Sequence, residues 1–276
     1  MSDYGKRIRL NRVLNPVTKK AVIVAYDHGL MLGPVKGVME PGFMIRQLIE
    51  GGADGFLISP GLLKRYLHEF LIPDPPAIIL RMDWSNMWRG KDQLGYEEGR
   101  SRLIAQVEDA LKLGVDAVLS YLFIGSEDPE AEAWEIEKNS LIARECEQLG
   151  MPQFIEPMAR GILVGKDIYK PDFIKIHTRL AAELGADLIK TDYSGDYGSF
   201  KEVVEGCLVP ILIAGGPKTE TPLEGLKMVE DAMKAGAHGV VFGRNIIQAE
   251  NPRGMISAIR RIVHEGITAE EAEKSL

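Results

Sequence analysis

Gly185-Ala186-Asp187-Leu188-Ile189-Lys190-Thr191-Asp192-Tyr193 is the stretch on which the reading of this chain turns. Its glycine suits the left-handed residue that closes a helix before a turn. The apolar run that follows is too short for a helix and reads as a strand. In a parallel strand both faces are covered, so Leu188 and Lys190 share one face and Ile189 takes the other. A lysine delivered to the far end of such a strand is costly to bury. Its ammonium ordinarily titrates near about 10.4, and desolvation favours the neutral amine, which can attack a carbonyl and form a Schiff base. The alternative is a lysine that merely ends the strand and reaches solvent along its aliphatic stem.

The turn recurs. Gly52-Ala53-Asp54-Gly55, Gly114-Val115-Asp116-Ala117 and Gly236-Ala237-His238-Gly239 repeat the pattern of glycine, small residue, polar residue. Apolar runs at 21–25, 55–58, 77–80, 117–122, 153–155, 188–189, 211–213 and 240–242 are each followed by a segment with helical periodicity. Alternating strands and helices imply a parallel sheet. Eight of each, with the turn preceding every second strand, imply closure into a (β/α)8, or TIM, barrel. No linker or low-complexity stretch interrupts the pattern. The chain reads as one α/β domain over residues 1–276, with a basic amphipathic lead-in (1–20) around Ile8, Leu10 and Leu14, ending at the turn Asn15-Pro16, and a helical tail (265–276).

Composition narrows the function classes. The chain has 276 residues, 45% hydrophobic and 26% charged, the profile of an ordinary globular protein. No apolar stretch approaches the length of a membrane span, and no signal peptide precedes the first basic residues. Cys146 and Cys207 match no metal-ligand spacing, which predicts reduced thiols and a cytoplasmic location. The net charge of −7 and pI near 5.4 argue against nucleic acid as partner.

In a barrel, function gathers at the C-terminal ends of the strands. Those ends carry Asp27 and His28, Ser59, Arg81 and Asp83, Tyr121 and Phe123, Glu156, Lys190 and Asp192, Gly215 to Lys218, and Gly243 to Asn245. The strand starts carry mostly the repeated turn. After strands seven and eight, Ile213-Ala214-Gly215-Gly216-Pro217-Lys218 and Phe242-Gly243-Arg244-Asn245 bring glycine backbone and two cations to the place where this fold commonly binds phosphate. Gly215, Gly216, Lys218, Gly243 and Arg244 are the phosphate candidates, although Arg244 and Asn245 could equally cap the helix they open.

Tyr26-Asp27-His28-Gly29, Ile124-Gly125-Ser126, Ile189-Lys190-Thr191, Ala214-Gly215-Gly216-Pro217-Lys218 and Gly243-Arg244-Asn245-Ile246-Ile247-Gln248 resemble the archaeal-type class I fructose-bisphosphate aldolase family over nearly the whole chain. The segments Leu10 to Thr18 and Ala258 to Ala272 are similar to the branch that contains the autoinducer-2 phosphate thiolase. The resemblance implies a Schiff base on Lys190, a catalytic Asp27, phosphate on the glycine loops, and a homo-oligomer built as a pentamer-based ring or decamer. One element departs. Where the aldolases carry Tyr-Pro-Arg-Gly, this chain has Met158-Ala159-Arg160-Gly161, and the acid/base tyrosine is missing. Phe123 likewise stands where the thiolase pattern has tyrosine. Tyr121, on the same strand face, is the candidate replacement.

The implied reaction is attack of Lys190 on a phosphorylated ketose or dicarbonyl, followed by C–C cleavage to an enamine of dihydroxyacetone phosphate. Asp27 is the preferred base, and Tyr121, Glu156 and Asp192 are further proton carriers. In a thiolase, coenzyme A would receive the acyl group. No metal or other cofactor is implied, and His28, without spaced partners, is expected to orient Asp27 or its loop. Trp84 and Trp88 wall the pocket or pack on a neighbouring subunit. Glu130, Glu132, Glu135 and Glu137 are expected on a solvated helix face. A sugar-phosphate isomerase with Asp27 or Glu156 as base, and a non-catalytic sugar-phosphate binder, are the alternatives of other classes.

Overall fold

Period-two burial builds the barrel. The computed structural model describes residues 2–96 and 98–276. Eight parallel strands, β1 (Ala21–Ala25), β2 (Gly55–Ile58), β3 (Ala77–Arg81), β4 (Ala117–Ile124), β5 (Gln153–Ala159), β6 (Leu188–Thr191), β7 (Ile211–Ala214) and β8 (Gly239–Phe242), pair with their neighbours in chain order. The pairing of β8 with β1 closes the ring, so the chain is a single-domain TIM barrel. Alternate residues face inward, among them Ile23, Leu57, Ile79, Leu119, Phe154, Leu188, Leu212 and Val241, and form one apolar plug inside the barrel. The residues between them pack outward against the helices in a second, larger core.

The repeated turn has a second purpose besides its glycine. Gly52, Gly114, Gly185 and Gly236 do adopt positive φ, between 72° and 107°. In addition, the aspartate that follows each of the first three reaches across to the preceding strand. Asp54 accepts from Val22 N at 2.7 Å, Asp116 from Ile78 N at 3.0 Å and Asp187 from Gln153 N at 2.9 Å. The backbone N–H of each aspartate donates back to the same strand residue's carbonyl at 2.8–2.9 Å. β1, β3 and β5 therefore each have a donor at their start satisfied and their register fixed. In the fourth copy His238 keeps only the backbone bond, to Ile211 O.

Three expectations are corrected. The lead-in is a longer helix, Ser2–Val13, that closes the barrel floor through Val13, Leu10 and Leu14, whereas Ile8 faces solvent. Its cations are a solvated face only in part: Arg7 and Arg12 are exposed, but Lys6 pairs with Glu147 and Asp187, Arg12 with Asp116, and Arg9 donates to Gly150 O. Two of those carboxylates belong to the repeated turn. Second, no helix follows β3 directly; Asp83–Ser85 and Ser101–Leu103 form an antiparallel hairpin over the barrel mouth before the helix Val107–Lys112. Third, the acids of the helix Pro129–Leu149 are not all solvated, because Glu135 is buried and Glu132 accepts from Gly125 N. The tail contains the short helix Ala269–Glu273, started by a reciprocal Thr268–Glu271 cap. No helix among the described residues is long and apolar enough to cross a membrane.

His177, buried on the helix Pro171–Glu183, gives the fold a pH signature. Neither ring nitrogen has a hydrogen-bond partner among the described residues, and burial, aided by the charge of Arg160, pushes its pKa down to about 3. Below the ordinary value near 6.5, the unfolded chain takes up a proton that the folded chain refuses, so stability falls as pH falls between about 6.5 and about 3. The expected slope from this residue approaches 1.4 kcal/mol per pH unit. Urea denaturation of wild type and His177→Leu from pH 7 to pH 4 should show a stability difference that closes or reverses by that amount per unit. Parallel curves would contradict it.

Candidate active site

The inward row that is apolar at the barrel floor turns ionic at its C-terminal end. On β3 the series Ala77, Ile79 ends in Arg81; on β4, Ala117 and Leu119 lead to Tyr121; on β5, Phe154 leads to Glu156; on β6, Leu188 leads to Lys190. Asp27 continues the inward row of β1. These side chains surround a cavity of about 290 Å³ that opens among the loops at the strand ends.

Arg81 organises them. It is 1% exposed, with Nε donating to Asp27 Oδ2 at 2.7 Å and Nη2 to Glu156 Oε2 at 2.6 Å. The other oxygen of Glu156 lies 2.6 Å from Lys190 Nζ. The guanidinium also lies 3.9 Å from the centre of the Tyr121 ring, a cation–π contact strengthened by the absence of water. On its far side Nη1 faces Asp83 Oδ1 at 3.6 Å. Asp83 Oδ2 accepts from the Tyr121 backbone N–H at 2.9 Å and from Lys138 Nζ at 2.8 Å. Lys138, fully buried, also donates to Glu135 at 2.7 Å and to Ser101 Oγ at 2.6 Å, and the Ser101 hydroxyl donates to Glu135. A chain of alternating charge thus runs from the cavity to the hairpin behind it.

The electrostatics follow from this arrangement. Burial would raise the carboxyl of Asp27, but Arg81, Lys190 and His28 together outweigh it and hold the group below the usual carboxylate range. Asp27 is therefore an anion, able to accept a proton or a hydrogen bond. Burial pushes the Tyr121 phenol well above its ordinary value against the opposing charge of Arg81, so it stays a protonated phenol and not a phenolate. Burial also lowers His28 and keeps it neutral. Asp192 is raised by burial despite its 2.8 Å bond from Arg160 Nη2.

The catalytic and phosphate-binding candidates named from the sequence all line the cavity except Lys218, whereas Ser59, Asp83, Phe123 and Asn245, also at strand ends, are not among the lining residues. Lys218 is exposed, and its Nζ turns away to donate to Gln248 O at 3.0 Å. Arg244 donates to Gly216 O at 2.9 Å and keeps a buried Nε without a partner. Asn245 does not cap a helix; it ties the two glycine loops together, donating to Gly215 O at 2.7 Å and accepting from Thr219 N at 2.8 Å. His28 lies 4.0 Å from Asp27, too far for a hydrogen bond. Its ring instead occupies the space that a side chain at Gly243 would need, since a Cβ there would stand 2.1 Å from His28 Cε1. Of the two tryptophans, Trp88 reaches the cavity and packs 5.6 Å from Tyr121, while Trp84 supports the apolar cluster behind it. Sequence reading gave no role to Arg81, Asp83, Glu135 or Lys138, nor to Arg160 at the rim. Among the described residues no group of three or more histidines, cysteines or carboxylates could hold a metal ion.

Comparison with known proteins agrees with this geometry. The family model described as DeoC/LacD family aldolase matches residues 21–249. An uncharacterised aldolase of Saccharolobus solfataricus is 38% identical over 276 residues, covering 99% of both chains. The 2-amino-3,7-dideoxy-D-threo-hept-6-ulosonate synthase of Halobacterium salinarum is 34% identical, over 99% of this chain and 96% of that one. A solved archaeal fructose-1,6-bisphosphate aldolase, with its catalytic lysine covalently bound to the carbinolamine intermediate of the substrate, superposes with a TM-score of 0.82 at 29% identity, over 94% of this chain and 99% of the other. These findings lend no support to a thiolase or to coenzyme A as co-substrate.

The buried ionic chain can be tested by its energetics. Breaking a buried charge network by removing one member typically costs about 3–5 kcal/mol, because the remaining charges lose their compensation. Lys138→Met should therefore lower the unfolding free energy by about that amount. Adding Glu135→Gln should recover part of the loss, since one stranded carboxylate is then neutralised. A single-variant cost below about 1 kcal/mol in chemical denaturation would contradict the network.

Proposed function

This chain belongs to the DeoC/LacD aldolase family and is a Schiff-base, class I aldolase, and on that premise we propose that Lys190 is its nucleophile, acting on a phosphorylated ketose or dicarbonyl with dihydroxyacetone phosphate as the released half. The observation that carries this reading is the position of the Lys190 amine. It is 6% exposed, held 2.6 Å from Glu156, and opens into the cavity that Gly215, Gly216, Gly243 and Arg244 also line.

Each group has a role consistent with its surroundings. The phosphate of the substrate is gripped by the glycine loops, where the unpartnered Nε of Arg244 offers a charged donor. Glu156 accepts a proton from the Lys190 ammonium, freeing the amine to attack the ketone carbon. The carbinolamine loses water to give an iminium, which withdraws the electron pair of the adjacent C–C bond as that bond breaks. Asp27, an anion held by Arg81, takes the proton from the departing hydroxyl. Tyr121 and Asp192 supply protons in the carbinolamine and enamine steps, Tyr121 standing in for the missing family tyrosine. His28 positions the loop after β8. The enzyme is proposed to act in the cytoplasm, where Cys146 and Cys207 remain free thiols, and as a homo-oligomer, a pentamer-based ring or decamer. Exposed apolar side chains beside the cavity loops, Leu94, Tyr96, Ile162 and Leu163, support assembly.

Borohydride reduction in the presence of dihydroxyacetone phosphate tests the assignment. The expected result is a covalent adduct mapped by mass spectrometry to Lys190, absent in Lys190→Met, with aldol activity in that variant reduced by at least about 10³-fold. Glu156→Gln should slow adduct formation by about 10²-fold or more. A lysine elsewhere carrying the adduct would overturn the assignment, and turnover of a ketose phosphate without any adduct would favour the isomerase alternative.

A further inference from the structure

From the distribution of charge around the cavity we infer that the substrate carries a single phosphate, and that the carbonyl partner joined or released at the far end is a small, uncharged aldehyde with an apolar face. The inference rests on the Schiff-base reading of Lys190 and names the substrate class for that same site.

The ring order sets the two poles. The glycine loops follow β7 and β8; β3 and β4 lie four strands away, across the barrel. A substrate that places its phosphate on the glycine loops and its ketone at Lys190 on β6 therefore sends its other half toward β3, β4 and β5. The cations that line the cavity, among the described residues, are Arg81, Arg160, Lys190 and Arg244. Arg81 is held by Asp27 and Glu156, and its remaining nitrogen, Nη1, which makes no hydrogen bond, faces Asp83 Oδ1 at 3.6 Å on the side away from the cavity. Arg160 bonds Asp192 at 2.8 Å and the Ala159 carbonyl at 2.8 Å. Lys190 is the proposed nucleophile and pairs with Glu156. Only Arg244, beside the glycine loops, faces no carboxylate and has a buried donor to spare. One phosphate has a partner there, and a second at the opposite pole has none.

Beyond the paired charges of Arg81, Glu156 and Arg160, that pole is apolar. Met31 from the loop after β1, Trp88 from the hairpin, Tyr121 from β4 and Met158 from β5 line the far wall. Behind them Phe123 stacks on Tyr121 at 4.9 Å, and Trp84, Leu30 and Met87 complete a cluster separate from both barrel cores. A phosphate dianion pressed against such a wall would lose its water and meet only two neutral donors, the Tyr121 hydroxyl and the Trp88 indole N–H, with no cation free to pair with it, a cost of several kcal/mol or more. A methyl or ethyl group would gain from the same contact. In the synthetic direction the enamine of dihydroxyacetone phosphate supplies the electron pair and the new bond forms at the aldehyde carbon. The aldehyde oxygen takes up a proton, and hydrolysis of the iminium returns the free amine.

The full-length enzyme tests this in two steps. Borohydride trapping with dihydroxyacetone phosphate first establishes the Lys190 adduct. Consumption of dihydroxyacetone phosphate is then followed with propanal and, separately, with glyceraldehyde 3-phosphate. The expected result is an adduct together with a kcat/KM for propanal about tenfold or more above that for the phosphorylated aldehyde. An adduct with the phosphorylated aldehyde consumed equally well or better, or with neither aldehyde consumed, overturns the single-phosphate inference and leaves the Schiff-base assignment standing. Absence of an adduct overturns both.

Discussion

A guanidinium sealed inside a barrel mouth is the constraint from which the rest of this site follows. Arg81 cannot lose its charge, and at 1% exposure it cannot be solvated. Carboxylates must therefore come to it. Asp27 and Glu156 do so from strands on either side, and Asp83 approaches from behind. Each carboxylate so recruited is then fixed within reach of something else: Glu156 against the Lys190 amine, Asp27 facing the cavity, and Asp83 against the backbone of the Tyr121 strand and Lys138. A bidentate fork matched to fixed acceptors gives orientation as well as charge balance. The groups proposed to react are preorganised because moving any one of them would strand a buried charge.

The barrel supplies the framework in which this is possible. Its parallel strands deliver one inward side chain every second residue, so a single rule produces an apolar plug below and an ionic layer above. The repeated turn at the floor fixes strand register through its aspartates, and a one-residue slip in β3, β5 or β6 would turn its ionic group at the mouth outward. Bottom-rim chemistry thus underwrites top-rim geometry. The N-terminal helix contributes to the same end, because its lysine and arginine pair with two of those turn aspartates.

Much of this was legible in the residues. The eight strands were found to within a few positions because each is a short apolar run bounded by turn glycine or proline, and the rim acids were visible because strand ends are polar on one side only. The glycine loops announced themselves by composition. Four features were not legible. The hairpin after β3 lies in a segment whose tryptophans, glycines and charges carry no clean period. Glu135 read as a surface charge and Lys138 drew no reading at all, although with Asn139, Ile142 and Cys146 they continue a single helical stripe at spacings of three and four, and that spacing was the available signal. Lys218 was assigned by its neighbours in sequence, but the loop after Pro217 turns it outward to a backbone carbonyl, a direction that no pattern of residue types encodes. Arg81 was seen at the rim and given no part, because its importance depends on partners from other strands that only the closed ring brings together.

The central claim is that catalysis depends on the two-pronged hold of Arg81, and not merely on a positive charge in the barrel. Arg81→Lys keeps the charge but cannot bridge Asp27 and Glu156 at once. The decisive measurement is the single-turnover rate of imine formation in this variant, recorded by rapid quench under conditions where circular dichroism shows the barrel intact. The account predicts a fall of about 10²-fold or more. A folded variant that forms the imine within about threefold of the wild-type rate, a difference below about 1 kcal/mol, would contradict it.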